Sequence, residues 1–357
     1  MKACHGISVC FSALMLAALQ VFNPAAKADE AISFAGRTVT LIIGSSSGGT
    51  TDMSARIMAT FLSKYLPGAP SVIVQSRPGA QSIPAMNYFA RQVKPDGLTL
   101  AVGSARQLDP ESFRLPQSQY DPAEFFMVGG VDLGGGILIL RKEALLRLTD
   151  KTANPVVMGS SSGVPSSTVL TAAWGFEYLG WNVKWVTGYP SATSGLALAL
   201  ERGEIDMTGF STAGLSESLL DRSKYVVLYQ TGSDGCSRAS SLSELAGVPI
   251  FATAIKGKLS DPVVQTAFDA WCNSSSTVVW LALPPGTAPA VVNTYRAAFR
   301  KISDDPTSVV QGRTFSPEFS WVRHDSVDAK VRSYAQMSAE VTNVMPDMLR
   351  RQGRPIN

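Results

Sequence analysis

From residue 38 onward, short β-rich runs alternate with segments whose apolar positions recur every three or four residues. Residues 38–43 (TVTLII) predict a buried strand, and a Gly/Ser loop follows. Met53, Ile57, Phe61 and Tyr65, with Met58 and Leu62 beside them, then mark one face of a helix. Residues 72–75 predict a second strand, 83–93 a helix, and 98–102 a third strand after the turn Pro95-Asp96-Gly97. Gly134-Gly135-Gly136 interrupts two apolar runs and marks a boundary. Beyond it, strands are predicted near 137–140, 156–158, 183–186, 205–208 and 226–229. A second crossover is expected near 249–255, before long helices at 261–271, 288–302 and 326–350. Strand–helix alternation of this kind predicts an α/β fold with largely parallel sheets. Two lobes are expected, each a β-sheet flanked by helices and joined by two crossover strands. Residues 29–134 with 253–357 would form the first lobe, and 135–252 the second.

Residues 1–28 stand apart. Lys2, an apolar run over 7–22 and the small-residue end Ala26-Lys27-Ala28 have the three-part pattern of a secretory signal peptide. The run is shorter than the ~20 residues needed to span a bilayer, so a soluble exported protein is expected. Two of the 31 Lys and Arg residues lie in this leader and no acid does, which leaves 29 bases against 28 acids. A near-neutral chain argues against a broad basic face for nucleic acid. Cys4 and Cys10 leave with the leader, and an oxidising compartment would let the remaining Cys236 and Cys272 pair. A composition of 45% hydrophobic and 17% charged residues excludes disorder as the main state. At about one domain per 150 residues, 357 residues also fit two lobes.

One motif occurs twice. Strand, Gly44-Ser45-Ser46-Ser47-Gly48, helix recurs as strand, Gly159-Ser160-Ser161-Ser162-Gly163, helix, one copy in each expected lobe. Such a loop brings backbone N–H groups, hydroxyls and the positive end of a helix dipole to one point, which suits an anion. Thr50, Thr51 and Asp52 after the first copy, and Ser166, Ser167 and Thr168 after the second, are suited to capping. Micromolar binding needs about 8 kcal/mol, whereas a hydrogen bond to a charged group contributes about 1.5–3 kcal/mol. Two loops closing on one ligand meet that requirement more readily than one.

Competing chemistries leave weaker traces. G-x-S-x-G occurs at both loops, so a secreted serine hydrolase using Ser46 or Ser161 is the alternative function. Beyond the leader, however, His324 is the single histidine. Gly48-Gly49-Thr50-Thr51 lacks the lysine of a nucleotide-binding phosphate loop. No His, Cys or acidic cluster has metal-ligand spacing, and neither a metal nor a cofactor is expected. Trp174, Phe176, Tyr178, Trp181 and Trp185 form an aromatic cluster suited to packing the second lobe, with an aromatic ligand box as the sharper alternative.

Gly48-Gly49-Thr50-x-Asp52, then Arg77-Pro78-Gly79-Ala80, then Pro95-Asp96-Gly97-x-Thr99-Leu100 resemble the opening signatures of the Bug-type substrate-binding proteins of tripartite tricarboxylate transporters. Gly188-Tyr189, Gly203-Glu204-Ile205-Asp206, Gly247-Val248-Pro249 and Pro284-Pro285-Gly286-Thr287-Ala288-Pro289 resemble that family's later landmarks in the same order. The likeness covers residues 36–355. It implies a two-lobed periplasmic binding protein of type II-like fold, monomeric and without enzymatic activity. Such a protein holds a small organic acid between its lobes and delivers it to membrane permease subunits. Carried over position by position, the first-lobe cradle would be Ser45, Ser46, Ser47, Gly48, Gly49, Thr50 and Asp52, with Gly79, Ala80, Gln81, Ser82, Gly103 and Ser104. The second lobe would contribute Ser160, Ser161, Ser162, Gly163, Tyr189, Ser191, Asp206, Phe210 and Ser211. The sequence departs from the pattern at Gln81 and Ser82, where the family commonly has two glycines, and at Pro190 and Ser191, where it commonly has a basic residue and glycine.

Overall fold

The computed structural model describes residues 32–161, 167–189, 194–233, 235–274 and 279–354, so the expected leader lies outside it. Among these residues are eleven strands: β1 (Thr38–Ile43), β2 (Ser71–Ser76), β3 (Thr99–Ser104), β4 (Phe126–Asp132), β5 (Gly136–Arg141), β6 (Val156–Ser160), β7 (Val183–Thr187), β8 (Met207–Ser211), β9 (Tyr225–Gln230), β10 (Val279–Leu283) and β11 (Ser320–Arg323). The α-helices are α1 (Thr50–Tyr65), α2 (Ile83–Gln92), α3 (Ala105–Leu108), α4 (Pro110–Phe113), α5 (Ser167–Tyr178), α6 (Ser194–Arg202), α7 (Phe251–Ile255), α8 (Pro262–Ser274), α9 (Pro289–Asp304), α10 (Pro306–Phe315), α11 (His324–Ala335) and α12 (Ala339–Arg351).

The strands form two sheets, one of six in the order β11-β4-β10-β3-β1-β2 and one of five in the order β7-β6-β8-β5-β9. Helices flank both, giving the two-lobed α/β fold. β1 pairs in parallel with β2 and β3, and Val39, Leu41, Ile42 and Ile43 are all buried. A near-continuous apolar run is what a parallel strand covered on both faces requires. β2, at the edge, instead alternates exposed and half-buried positions. The second lobe's core joins Trp174, Trp181, Phe251, Phe268 and Trp271, with Phe176, Tyr178 and Trp185 packed against it. The aromatic cluster is therefore core packing.

Three features differ from the sequence-based expectation. Both sheets are mixed rather than largely parallel, because β10 runs antiparallel to β3 and β4, β11 to β4, and β5 to β8 and β9. The helix expected over 326–350 is broken at 336–338, where Ser338 Oγ accepts the Val341 N–H and caps α12. α11 packs on β4, while α12 packs on α8 and α5. α7, α8 and α12, in or at the edge of the 253–357 segment expected in the first lobe, thus bury Phe251, Ile255, Phe268, Trp271, Met345, Met348 and Leu349 in the second sheet's core. Helical periodicity shows that a face is buried without showing which sheet covers it.

Strand directions fix which edges meet. β10 is antiparallel to both β3 and β4, so β1, β3 and β4 run the same way and end on one edge of the first sheet. β5 starts at Gly136 opposite Ser211, the last residue of β8, and β6 runs parallel to β7 and β8. Residues 133–135 therefore join the edge where β1 and β3 end to the edge where β6, β7 and β8 end. With 3.8 Å between successive Cα atoms, Asp132 and Gly136 lie at most about 15 Å apart. β10 begins at Val279 opposite Ser104, so the chain re-enters the first sheet at the same edge.

Candidate functional site

The first Gly/Ser loop leaves β1 at this edge. Its carbonyls are tied down from outside, with Ser76 Oγ donating to Ser45 O and Ser82 Oγ to Gly44 O at 2.9 Å. Ser46, Ser47, Gly48, Gly49 and Thr50 are exposed, while Ser45 is half-buried with its Oγ enclosed and unpartnered. Gly49 caps α1 without a side-chain bond, and the opening N–H groups of any helix lack intrahelical acceptors. Exposed hydroxyls and a helix N-terminus thus share one face.

Asp52 has a different role from the one carried over by resemblance. It is 2% exposed, and its Oδ2 accepts the Gly48 N–H at 2.8 Å and Arg56 Nε at 2.9 Å. The Arg56 guanidinium holds its carboxyl below the usual range. Asp52 therefore positions the loop, and the Gly48 amide is already spoken for.

The second element is the turn from Gly79 to Ser82. Gly79 has φ 133°, and Ala80, Gln81 and Ser82 have φ 36°, 58° and 71°, three consecutive side-chain-bearing residues in a region that favours glycine. Clamps hold it there. Ser82 N–H donates to Gly79 O at 2.8 Å and Gln107 Nε2 to Gln81 O at 3.4 Å, while Arg106 Nη1 reaches Gln81 Oε1 at 3.1 Å. Arg77 stacks on the Tyr88 ring at 3.8 Å.

At the end of β3, Gly103 and Ser104 support rather than line the edge. A Cβ on Gly103 would stand 2.1 Å from the Trp280 ring. Ser104 forms a capping box with Gln107, and its carbonyl accepts Trp280 Nε1 at 2.8 Å.

In the second lobe, Ser160 ends β6 with 2% exposure, and Ser161 is half-buried. Ser162, Gly163 and Ser191 lie outside the described residues. Half-buried Tyr189 packs beside Leu196 and Ile205's cluster, and burial, helped by Glu204, raises its phenol pKa. Phe210 is buried in that cluster, and exposed Ser211 accepts the Ala213 N–H at 3.3 Å. Asp206 lies just before the opposite end of β8, about 16 Å of strand from Ser211. There it pairs with Arg147 at 2.7 Å and accepts the Val157 N–H at 2.9 Å, so it braces the far end of the sheet and does not share the facing edges.

The glycines of the crossover were legible as a boundary, but the side chains that hold it gave no signal in the sequence. Thr212 Oγ1 donates to Leu133 O at 3.3 Å or Gly135 O at 3.1 Å, Thr231 Oγ1 accepts the Gly136 N–H at 2.8 Å, and Ser316 Oγ donates to Leu133 O at 2.9 Å. Glu318 Oε1 accepts the Ser241 N–H at 3.0 Å across the lobes. Each bond spans 77 or more residues, beyond any local motif. Cys236 and Cys272 form a disulfide with Cα atoms 5.1 Å apart, tying the segment after β9 to α8. His324 Nδ1 lies 3.2 Å from Asp328 Oδ2, which also pairs with Arg296 at 3.1 Å. No group of three His, Cys, Asp or Glu suited to a metal occurs among the described residues.

No family model matches the chain. A UPF0065 protein of Bordetella pertussis is 26% identical over 84% of this chain and 86% of its own. The structure of the periplasmic binding protein BugD superposes with a TM-score of 0.59 at 16% identity, covering 90% of this chain and 99% of that one. The R. palustris protein Rpa4515 with adipate gives 0.63 at 21% identity, covering 90% and 99%. At these identities the structural likeness shows the fold. Together with the sequence relative, it bears out the resemblance to the Bug-type substrate-binding proteins that the loop motifs carry.

Proposed function

We propose that the protein is a periplasmic solute receptor, not an enzyme, that takes up a small organic acid between its lobes for delivery to the permease subunits of a tripartite tricarboxylate-type transporter. One observation carries this reading. The crossover at 133–135 joins the edge of the first sheet where β1 runs into its Gly/Ser loop to the edge of the second sheet where β6 ends at Ser160, which supports a crevice between the lobes supplied with donors from both. Recognition comes mainly from backbone N–H groups and serine hydroxyls, since neither Gly/Ser loop contains Lys or Arg. The names of related structures support the ligand class: one holds adipate and another is a periplasmic binding protein. By core packing, 33–134, 279–335 make the first lobe and 135–274 with 339–354 the second. The protein acts as a monomer.

The serine-hydrolase alternative is not retained. His324 pairs with Asp328 on α11, which also holds Arg296 of α9, and the structure of BugD, to which the fold is similar, is that of a periplasmic binding protein. Calorimetry or thermal shift with di-, tri- and aromatic carboxylates tests the proposal. An acid at 100 times its dissociation constant should add about 2.7 kcal/mol. No stabilisation by any member of the panel would overturn it.

A further inference from the structure

We propose that the Cys236–Cys272 disulfide is a hinge staple: it pins the second-lobe ends of two passages between the lobes to one point, so that the lobes open and close about a single axis. One passage is 133–135, which leads from β4 to β5. For the other, the chain leaves α8 of the second lobe at Ser274 and enters β10 of the first sheet at Val279. This role follows from the two-lobed fold and holds whatever the ligand.

The first passage lands on the stapled loop. Gly136 N–H donates to Thr231 Oγ1 at 2.8 Å, and Thr231 N–H returns a bond to Gly136 O at 2.8 Å. Gly135 packs backbone to backbone on Gly232, whose carbonyl oxygen would stand 2.7 Å from a Cβ at 135. A Cβ on Gly232 would in turn lie 3.4 Å from the Cα of Cys236 and 3.0 Å from Arg238 O. Backbone bonds between Ser233 and Arg238, at 2.8 and 3.1 Å, close the loop. Contact therefore runs from Gly135 through Gly232 to Cys236.

The second passage leaves from the other end of the bridge. Cys272 lies in the last turn of α8, and both cysteines are buried in the second core. Asn273 follows it. Its carbonyl accepts Lys330 Nζ from α11 of the first lobe at 2.9 Å, and its Oδ1 lies 2.9 Å from where a Cβ on Gly235 would stand. Lys330 and Arg238 also act as opposite charges on the buried Asp132, the last residue of β4. Cys236 itself has φ 61°, a left-handed conformation that costs a residue with a Cβ. Two passages that shift separately let the lobes twist as well as open. A cross-link acts by removing conformations, here those in which the loop and the end of α8 slide apart, and one hinge motion remains.

The test compares the oxidised protein with a Cys236→Ser/Cys272→Ser variant. Phe89→Leu, at a fully buried position of the first core, supplies a destabilised comparison away from the passages. Each is held the same interval below its melting midpoint. The Gly136, Thr231 and Thr212 amides, all bonded about the first passage, should exchange hydrogen about tenfold faster in the double variant than in Phe89→Leu. Amides of β1 should exchange alike in both. Spin labels carried by Leu146→Cys and Val310→Cys, at positions 87% and 66% exposed on the second and first lobes, should show a broader distance distribution without the bridge, and no broadening in Phe89→Leu. Faster exchange confined to 235–241, equal acceleration in Phe89→Leu, or an unchanged distance distribution would overturn the staple. The bridge would then stabilise the second lobe alone, and carboxylate capture would stand or fall separately.

Discussion

Replacing Ala80 with glycine makes the strain in the site measurable. Ala80, Gln81 and Ser82 all have positive φ, and left-handed backbone costs a residue with a Cβ about 1–2 kcal/mol. The turn therefore stores on the order of 3–6 kcal/mol. Ala80 is exposed, so removing its methyl loses no burial. Relief of one strained residue returns about 1–2 kcal/mol, while glycine's extra freedom in the unfolded chain takes back about 0.5–1 kcal/mol. The expected net gain is about 0.5–1 kcal/mol, seen as a rise in melting midpoint of roughly 1–3 °C. Affinity should move the other way, because a turn that no longer holds one geometry must be ordered on binding. Thermal unfolding and calorimetry on the same sample read both effects. A lower midpoint with unchanged affinity would refute the account of the turn as strained backbone kept for binding.

Four other perturbations have defined outcomes. The Cys236–Cys272 bridge closes a separation of 36 residues, for which chain entropy gives about 3.8 kcal/mol; the double Cys→Ser variant should melt well below wild type, and equal midpoints would rule out a stabilising bridge. Gly103→Ala should cost about 1–3 kcal/mol, because its Cβ meets the Trp280 ring, which is fully buried and bonded to Ser104 O; denaturation should show the loss. Asp52 has a lowered pKa, so its contribution is present above the ordinary carboxylate value and lost as pH falls through the folded one. Asp52→Asn should flatten stability against pH below about pH 4. Asp132 is the opposite case, its pKa raised by burial: its stability is present below the ordinary value and lost as pH rises through the folded one. Asp132→Asn, which keeps an acceptor for the Gly134 N–H, should raise the neutral-pH midpoint.

The lobes were legible where local pattern and tertiary demand coincide. TVTLII is too continuously apolar for a half-exposed strand, and β1 is covered on both faces. The first Gly/Ser loop was legible because a strand, a turn and a helix start all leave local traces, as β1, residues 44–49 and α1 show. The break at Ser338 escaped because a serine inside a helical pattern is also an ordinary exposed residue until its Oγ finds the Val341 N–H. Asp206 was misplaced for a related reason: its motif gives its neighbours in sequence, not the end of β8 it occupies or its bond to Arg147. Asp52 shows a third limit. Its position at the first turn of α1 was clear, but whether its carboxylate faced a ligand or the Gly48 amide depended on the rotamer fixed by Arg56.

The distribution of charge explains why such a receptor needs two lobes. In the first Gly/Ser loop, Asp52 adds a negative charge at the helix N-terminus, and Arg56 offsets it. Neutral donors remain, each contributing about 1.5–3 kcal/mol to a charged ligand, against an ordering cost on association of at least 4 kcal/mol. Three or four such donors from one exposed lobe leave little net affinity in water. Under the proposed function, matching donors from the second lobe would roughly double the gross term, and excluding water would strengthen each bond. High affinity would then be tied to closure, with the bonds about 133–135 as its mechanical centre. Gly134 sits there at φ 87°, with Glu318 and Thr212 where a Cβ would stand. Gly134→Ala should weaken carboxylate binding although it touches no ligand donor. Unchanged affinity in a folded Gly134→Ala variant would show that the crossover does not set the spacing of the two loops.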